Sequence, residues 1–109
     1  MPFWRFPELY RMADALVSAS HGEGWGIPLM EAMANGLPTM AGGWSGNTEF
    51  MSADNAFLVN ITGMTNERVP YHDHQWAELD VAHMRSLLRE IASESPAVAR
   101  TAARGRQDV

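Results

Sequence analysis

The chain contains no lysine and no cysteine. Its eight basic residues are therefore all arginine, set against thirteen acidic ones, and the formal net charge is −5. A surface of that sign argues against nucleic acid or an anionic membrane as the partner. Without cysteine there is neither a disulfide framework nor a thiol nucleophile, and a reducing compartment such as the cytoplasm is compatible. No apolar run approaches the roughly 20 residues that span a bilayer, and Met1-Pro-Phe-Trp-Arg5 does not read as a secretory signal. With no secretion expected, the sequon Asn60-Ile-Thr62 carries no weight. Internal repeats and low-complexity tracts are missing too. What remains is a chain of 109 residues, 46% hydrophobic, long enough for one globular domain.

The richest stretch runs from Ser20 to Asn35: Ser-His-Gly-Glu-Gly-Trp-Gly-Ile-Pro-Leu-Met-Glu-Ala-Met-Ala-Asn. Gly22, Gly24 and Gly26 make a turn that lets a ligand approach the backbone closely. Pro28 suits a first helical turn, and Gly36 followed by Pro38 is a stop signal, which predicts a helix from Ile27 to Asn35. The start of such a helix attracts phosphate through its unpaired N–H groups and the positive end of its dipole. Glu31, one turn in, leans back toward the mouth where Glu23 stands. Two carboxylates repel a phosphate but suit hydroxyl-rich groups on either side of it, a ribose and a sugar. A capped helix with two solvated glutamates satisfies the same spacing.

The rest of the chain alternates strands and helices. Pro7 to Met12 reads as a short helix whose apolar contacts come from Leu9, Tyr10 and Ala13. Phe3, Trp4 and Phe6 read as packing rather than as a membrane foot. Ala15–Ser18, Leu37–Ala41 and Ala56–Asn60 read as parallel strands. The glycine-rich turn follows the C-terminal end of the first, where open α/β sheets place their ligands. A second such turn, Gly42-Gly-Trp-Ser-Gly-Asn47, faces the same crevice. It fits an anion nest, and equally a tight turn in which Ser45 or Asn47 caps a short helix through Met51. Glu49 would complement that helix's dipole.

Ile61 to Gln75 breaks periodicity and predicts a long loop. His72-Asp73-His74 lacks further ligands nearby, so no metal site is expected, and His21 reads as solvated. Asp80 caps an amphipathic helix with Val81, Met84, Leu88 and Ile91 inward and Arg85 and Arg89 outward. Pro96 starts a last helix, Ala97 to about Arg106. The fold class is α/β: half a Rossmann-like sheet of about three parallel strands with flanking helices.

Glu-Gly-Trp-Gly-Ile-Pro-Leu-Met-Glu-Ala-Met-Ala-Asn-Gly-Leu-Pro resembles the Glu-x7-Glu motif of the family 4 (group 1) glycosyltransferases, retaining enzymes of the GT-B fold. Leu-Tyr-Arg-Met-Ala-Asp-Ala-Leu-Val-Ser-Ala-Ser before it and Trp-Ser-Gly-Asn-Thr-Glu-Phe-Met after it are similar as well. Trp76-Ala-Glu-Leu-Asp80 resembles a Trp-Ala-Glu-Pro-Asp stretch, with Leu79 in place of proline. The resemblance implies that residues 1–109 are part of a C-terminal, donor-binding domain, without the N-terminal acceptor domain. It implies glycosyl transfer with retention, from a nucleotide-sugar donor to a sugar or lipid-linked acceptor, as in polysaccharide biosynthesis. The place of work would be the cytoplasm or the inner face of the membrane.

By the same resemblance Glu23 is the catalytic-site residue that meets donor-sugar hydroxyls, and Glu31 meets the ribose. Gly24, Trp25, Gly26 and Ile27 meet the diphosphate through backbone amides, and Gly43, Ser45, Gly46 and Asn47 lie near the donor. No cofactor or obligatory metal is implied beyond the donor itself. The family's basic pair that neutralises the diphosphate falls upstream of this sequence, so the chain alone is expected to be inactive. A non-catalytic nucleotide-sugar-binding piece and a self-associating structural piece are the alternatives. In a Rossmann order, Ala15–Ser18 would be the fourth strand, with one side open. That edge, carrying Leu16 and Val17, predicts a homo-oligomer, and the end of the last helix is expected to fray.

Overall fold

A computed structural model describes residues 6–19, 25–66 and 75–109. The readings made for Phe3, Trp4, His21, Gly22, Glu23, Gly24 and His72-Asp73-His74 lie outside the described residues, as does that for the side chain of Phe6. The elements are α1 (Phe6–Met12), β1 (Leu16–Val17), α2 (Ile27–Ala34), β2 (Thr39–Gly42), a 3-10 turn (Gly46–Glu49), β3 (Phe57–Val59), β4 (Ile61–Asn66), β5 (Gln75–Leu79), α3 (Val81–Ala92) and α4 (Pro96–Asp108).

Strands β1, β2 and β3 form a parallel sheet in that order, with Val17 beside Met40 and Met40 beside Phe57. Side chains alternate across it, as the pleat requires. Ala41 joins Leu29 and Met33 of α2 on one face, together with Met51 and Ala56. Met40, Phe57 and Val59 meet Ile91 of α3 and Val98 of α4 on the other. Both faces of β2 are covered, so all four of its residues are buried.

Helix α2 ends as its sequence asks. Gly36, at φ 76°, follows the C-cap Asn35. The Gly36 N–H donates to the Met33 carbonyl and the Leu37 N–H to the Ala32 carbonyl, the paired bonds of a Schellman motif. Asp80 caps α3 by accepting from the His83 N–H at 3.0 Å.

Three expectations need correcting. The segment predicted as a loop is instead a hairpin: β4 and β5 pair antiparallel, with Ile61 beside Leu79 and Asn66 beside Gln75. Its first strand is Ile-Thr-Gly-Met-Thr-Asn, with no apolar alternation to announce it. The pairing partner and the burial of Ala77 stabilise it instead. On α3 the inward face is Met84, Leu87 and Ile91, whereas Val81 and Leu88 are 57% and 41% exposed. Hydrogen bonds at the helix start set that rotation. The Asn60 N–H donates to His83 Nδ1 at 2.9 Å, and the Asp80 N–H donates to the Asn60 carbonyl at 2.8 Å. These turn position 83, and with it 87, toward β3.

Third, α4 does not fray before its end. Val98, Ala102 and Gly105 are buried, and the helix runs to Asp108. It docks on the loop before β3 through Asn55, which accepts from the Ser52 N–H at 2.8 Å. The Asn55 amide donates to the Phe50 carbonyl and to Asp108 Oδ2, both at 3.0 Å. That bond, with a smaller contribution from Arg104 Nε at 2.9 Å, holds the Asp108 carboxyl below its usual range.

The contact at Gly105 permits this docking, since a Cβ there would lie 2.7 Å from the Asn55 carbonyl oxygen and 3.3 Å from Met33 Cε. Gly105→Ala is expected to destabilise the fold by about 1–3 kcal/mol through overpacking. That outweighs the ~1 kcal/mol alanine gains in helix propensity. Urea unfolding measures it; an unchanged or higher midpoint would mean that loop and helix separate freely.

Candidate functional site

The C-terminal ends of β1 and β2 deliver two loops to one edge of the sheet. The first enters α2 through Gly26, which has φ 88° and ψ 50°. That left-handed conformation suits glycine, and the space is closed as well: a Cβ would lie 3.1 Å from Leu29 Cδ1 and 3.4 Å from Asn47 Cβ. Asn47 belongs to the second loop, so the two loops meet at Gly26. Phe50 completes the junction, with its ring centroid 5.5 Å from that of Trp25.

The N-cap of α2 is Gly26, and among the described residues no side chain caps the start of the helix. The Met30 N–H bonds back to the Gly26 carbonyl at 3.0 Å, and Pro28 has no N–H, so the amides of Ile27 and Leu29 carry the positive end of the helix. Trp25 and Ile27 in the first loop and Trp44 in the second expose apolar surface. One turn into the helix, Glu31 Oε2 accepts a 2.8 Å hydrogen bond from the phenol of Tyr10. Burial first, then this bond and the charge of Glu31, push the Tyr10 hydroxyl up to about 12.

The predicted site residues thus divide into three groups. Gly26 adjoins Asn47 directly, Trp25 and Ile27 flank it, and Glu31 stands on the helix they open. Gly43, Ser45 and Gly46 lie in the loop that Asn47 ends, and the Gly43 N–H is engaged by the Val59 carbonyl at 3.0 Å. Glu23 and Gly24 lie outside the described residues.

The side-chain cap expected of Ser45 or Asn47 is not formed. Asn47 is buried and turns its amide to the Gly42 carbonyl at 3.0 Å, tying the loop to the end of β2. Ser45 holds the N-cap position through its backbone: its carbonyl accepts from the Thr48 N–H at 3.1 Å and from the Thr48 hydroxyl at 2.6 Å.

Tyr10, Trp44 and Phe50 were not singled out as site residues from sequence. No spacing rule links Tyr10 to a residue 21 positions on, and Phe50 reads as ordinary core. A cavity of about 850 Å³ lies elsewhere, lined by Phe57, Asn60, Asp80, His83, Leu87 and Glu90, and reaches the loops only at Gly43. It contains no glycine-rich helix start, so the chemistry suggested by the sequence does not belong there. Among the described residues, no three acidic, histidine or cysteine side chains gather to hold a metal, and no helix is long and apolar enough to cross a membrane.

A sequence model of the family described as glycosyl transferases group 1 matches residues 4–65, more than half of the chain. The chain belongs to that family. The match spans α1, the parallel sheet, both loops and β4 up to Thr65; α3 and α4 fall outside it. No similar curated protein was found. Membership makes this a glycosyltransferase domain, and the group 1 family acts between a nucleotide-sugar donor and an acceptor.

The second loop of this glycosyltransferase domain stores strain. Ser45 has φ 77° and ψ −162°, a region that is essentially glycine's. Ser45→Gly should stabilise the domain by about 1 kcal/mol, the strain relieved less the added freedom of the unfolded chain. A thermal melt checks it, and a lowered midpoint would show that the serine side chain contributes more than its backbone costs.

Proposed function

We propose that this chain holds the donor of a retaining, GT-B transferase of family 4, as part of its C-terminal domain. The acceptor domain lies outside this sequence. The supporting observation is the left-handed turn at Gly26 that opens α2, with a carboxylate one turn into the helix. The first amides of that helix suit the diphosphate, and Glu31 suits the ribose hydroxyls. Glu23 is assigned to the donor sugar, and the backbone from Gly24 to Ile27 with Ser45, Gly46 and Asn47 to the rest of the donor. In the retaining reaction the bond from the anomeric carbon to the diphosphate breaks on the face where the acceptor oxygen adds. The acceptor proton passes to a donor phosphate oxygen, with no metal required. The departing charge needs preorganised stabilisation. Lysine is absent here, and we assign that stabilisation to the remainder of the enzyme.

Binding should be weak, about millimolar at best, for half a pocket. In an NMR titration of the chain with UDP, GDP or ADP, the amides of Trp25, Gly26 and Ile27 should shift first. Glu31→Ala should abolish the response, since a charged hydrogen bond is worth ~1.5–3 kcal/mol. Shifts confined to residues 72–74 would overturn the reading.

A second reading, self-association, draws on β1. The N–H groups of Leu16 and Ser18 donate to Pro38 and Met40, which leaves Val17 facing the other side. Val17 is 41% exposed, and no strand among the described residues pairs with that side. An open apolar edge invites a second copy. Analytical ultracentrifugation at micromolar concentration should show a dimer or larger, and a stable monomer would exclude it.

A further inference from the structure

Helix α1 is seven residues long, and none of its described side chains is among those of the two core clusters. It nevertheless places one polar group with purpose. Tyr10 lines a cavity of about 400 Å³ together with Leu9, Ala13, Leu16, Pro28 and Leu37, between α1 and the start of α2. From there its hydroxyl reaches Glu31 Oε2 at 2.8 Å, while no other residue among those described is bonded to the Glu31 carboxylate. Glu31 is otherwise exposed, and a free glutamate side chain on a helix surface samples several rotamers.

We propose that Tyr10 is a positioning residue for ribose recognition: its phenol pins one oxygen of Glu31 so that the other, Oε1, is presented to the ribose hydroxyls of the bound nucleotide. This rests on the reading of Glu31 given above and extends it to a second helix. A phenol suits the task because it donates one hydrogen bond and carries no charge, so it leaves the carboxylate ionised and able to accept. With its pKa pushed up to about 12, the hydroxyl keeps that proton throughout the neutral range. Fixing the carboxylate before the ligand arrives removes an ordering cost from binding. It also restrains the negative charge from swinging toward the helix start, where the diphosphate would otherwise be repelled.

The test compares UDP, GDP and ADP with their 2′,3′-dideoxy counterparts, titrated by NMR into the whole chain and into Tyr10→Phe and Glu31→Ala. The wild-type chain should prefer the ribose form. Tyr10→Phe keeps the ring and removes only the hydroxyl. It should weaken the ribose form about three- to tenfold while leaving the dideoxy form unchanged. Equal weakening of both forms would mean a structural role and would overturn the proposal. So would an unchanged preference in Tyr10→Phe alongside a lost one in Glu31→Ala. Absence of any ribose preference in the wild-type chain would remove the reading of Glu31 itself, and this proposal with it, before any substitution is considered.

Discussion

The left-handed backbone at Gly26 is the constraint from which the site follows. It opens α2, and three side chains close around it: Leu29 from the helix, Asn47 and Phe50 from the second loop and its end. A side chain at that position would have to displace either the helix or the loop. The contact that excludes a Cβ therefore also fixes the two loops against each other. Among the described residues no side chain caps the first amides of the helix. An uncapped helix start of this kind attracts anions, which is the basis of the function proposed above.

Around that junction the fold uses small residues and amides where larger apolar groups would be expected. Asn47 and Asn55 are both buried, and each bonds a carbonyl where regular structure ends: Gly42 at the end of β2 for one, Phe50 after the 3-10 turn for the other. Irregular backbone inside a domain has carbonyls that no ladder pairs, and an asparagine amide satisfies them at short range. Gly105 then lets α4 approach Asn55 closely enough for Asp108 to bond the same amide. The loop that ends in β3 is thereby held from both sides. Arg106 lies by Gly36, near the negative end of α2, where its charge complements the dipole.

Where a residue type has one strong local preference, the sequence announced the structure. Pro28 with Gly36 bounded α2 to within a residue, Asp80 marked the start of α3, and short apolar runs marked the three parallel strands. What stayed hidden depends on partners distant in sequence. The strand of the hairpin from Ile61 is polar and exists through its pairing with 75–79. The rotation of α3 was ambiguous because 81-84-88-91 and 84-87-91 both have helical spacing. A hydrogen bond between Asn60 and His83, 23 residues apart, decides it. The docking of α4 was equally invisible, since it turns on the absence of one Cβ against one carbonyl. The places of Gly26 and Ile27 at the start of α2 and of Glu31 one turn in were legible from the helix signals, while the contacts of Tyr10 with Glu31 and of Phe50 with Trp25 became visible only in three dimensions.

The electrostatics of α2 also bear on why its acidic residue needs a partner. An anion at the helix start and a carboxylate one turn behind it compete for the same positive potential. Both bind best only if the carboxylate is kept to one side, on a ligand group that donates to it. Charge alone cannot enforce that separation, because the dipole draws both groups the same way. A directional bond can, and the 2.8 Å contact from Tyr10 is of that kind. It ties α1 to the carboxylate on α2, so under the proposal a change in α1 would be felt at the ribose.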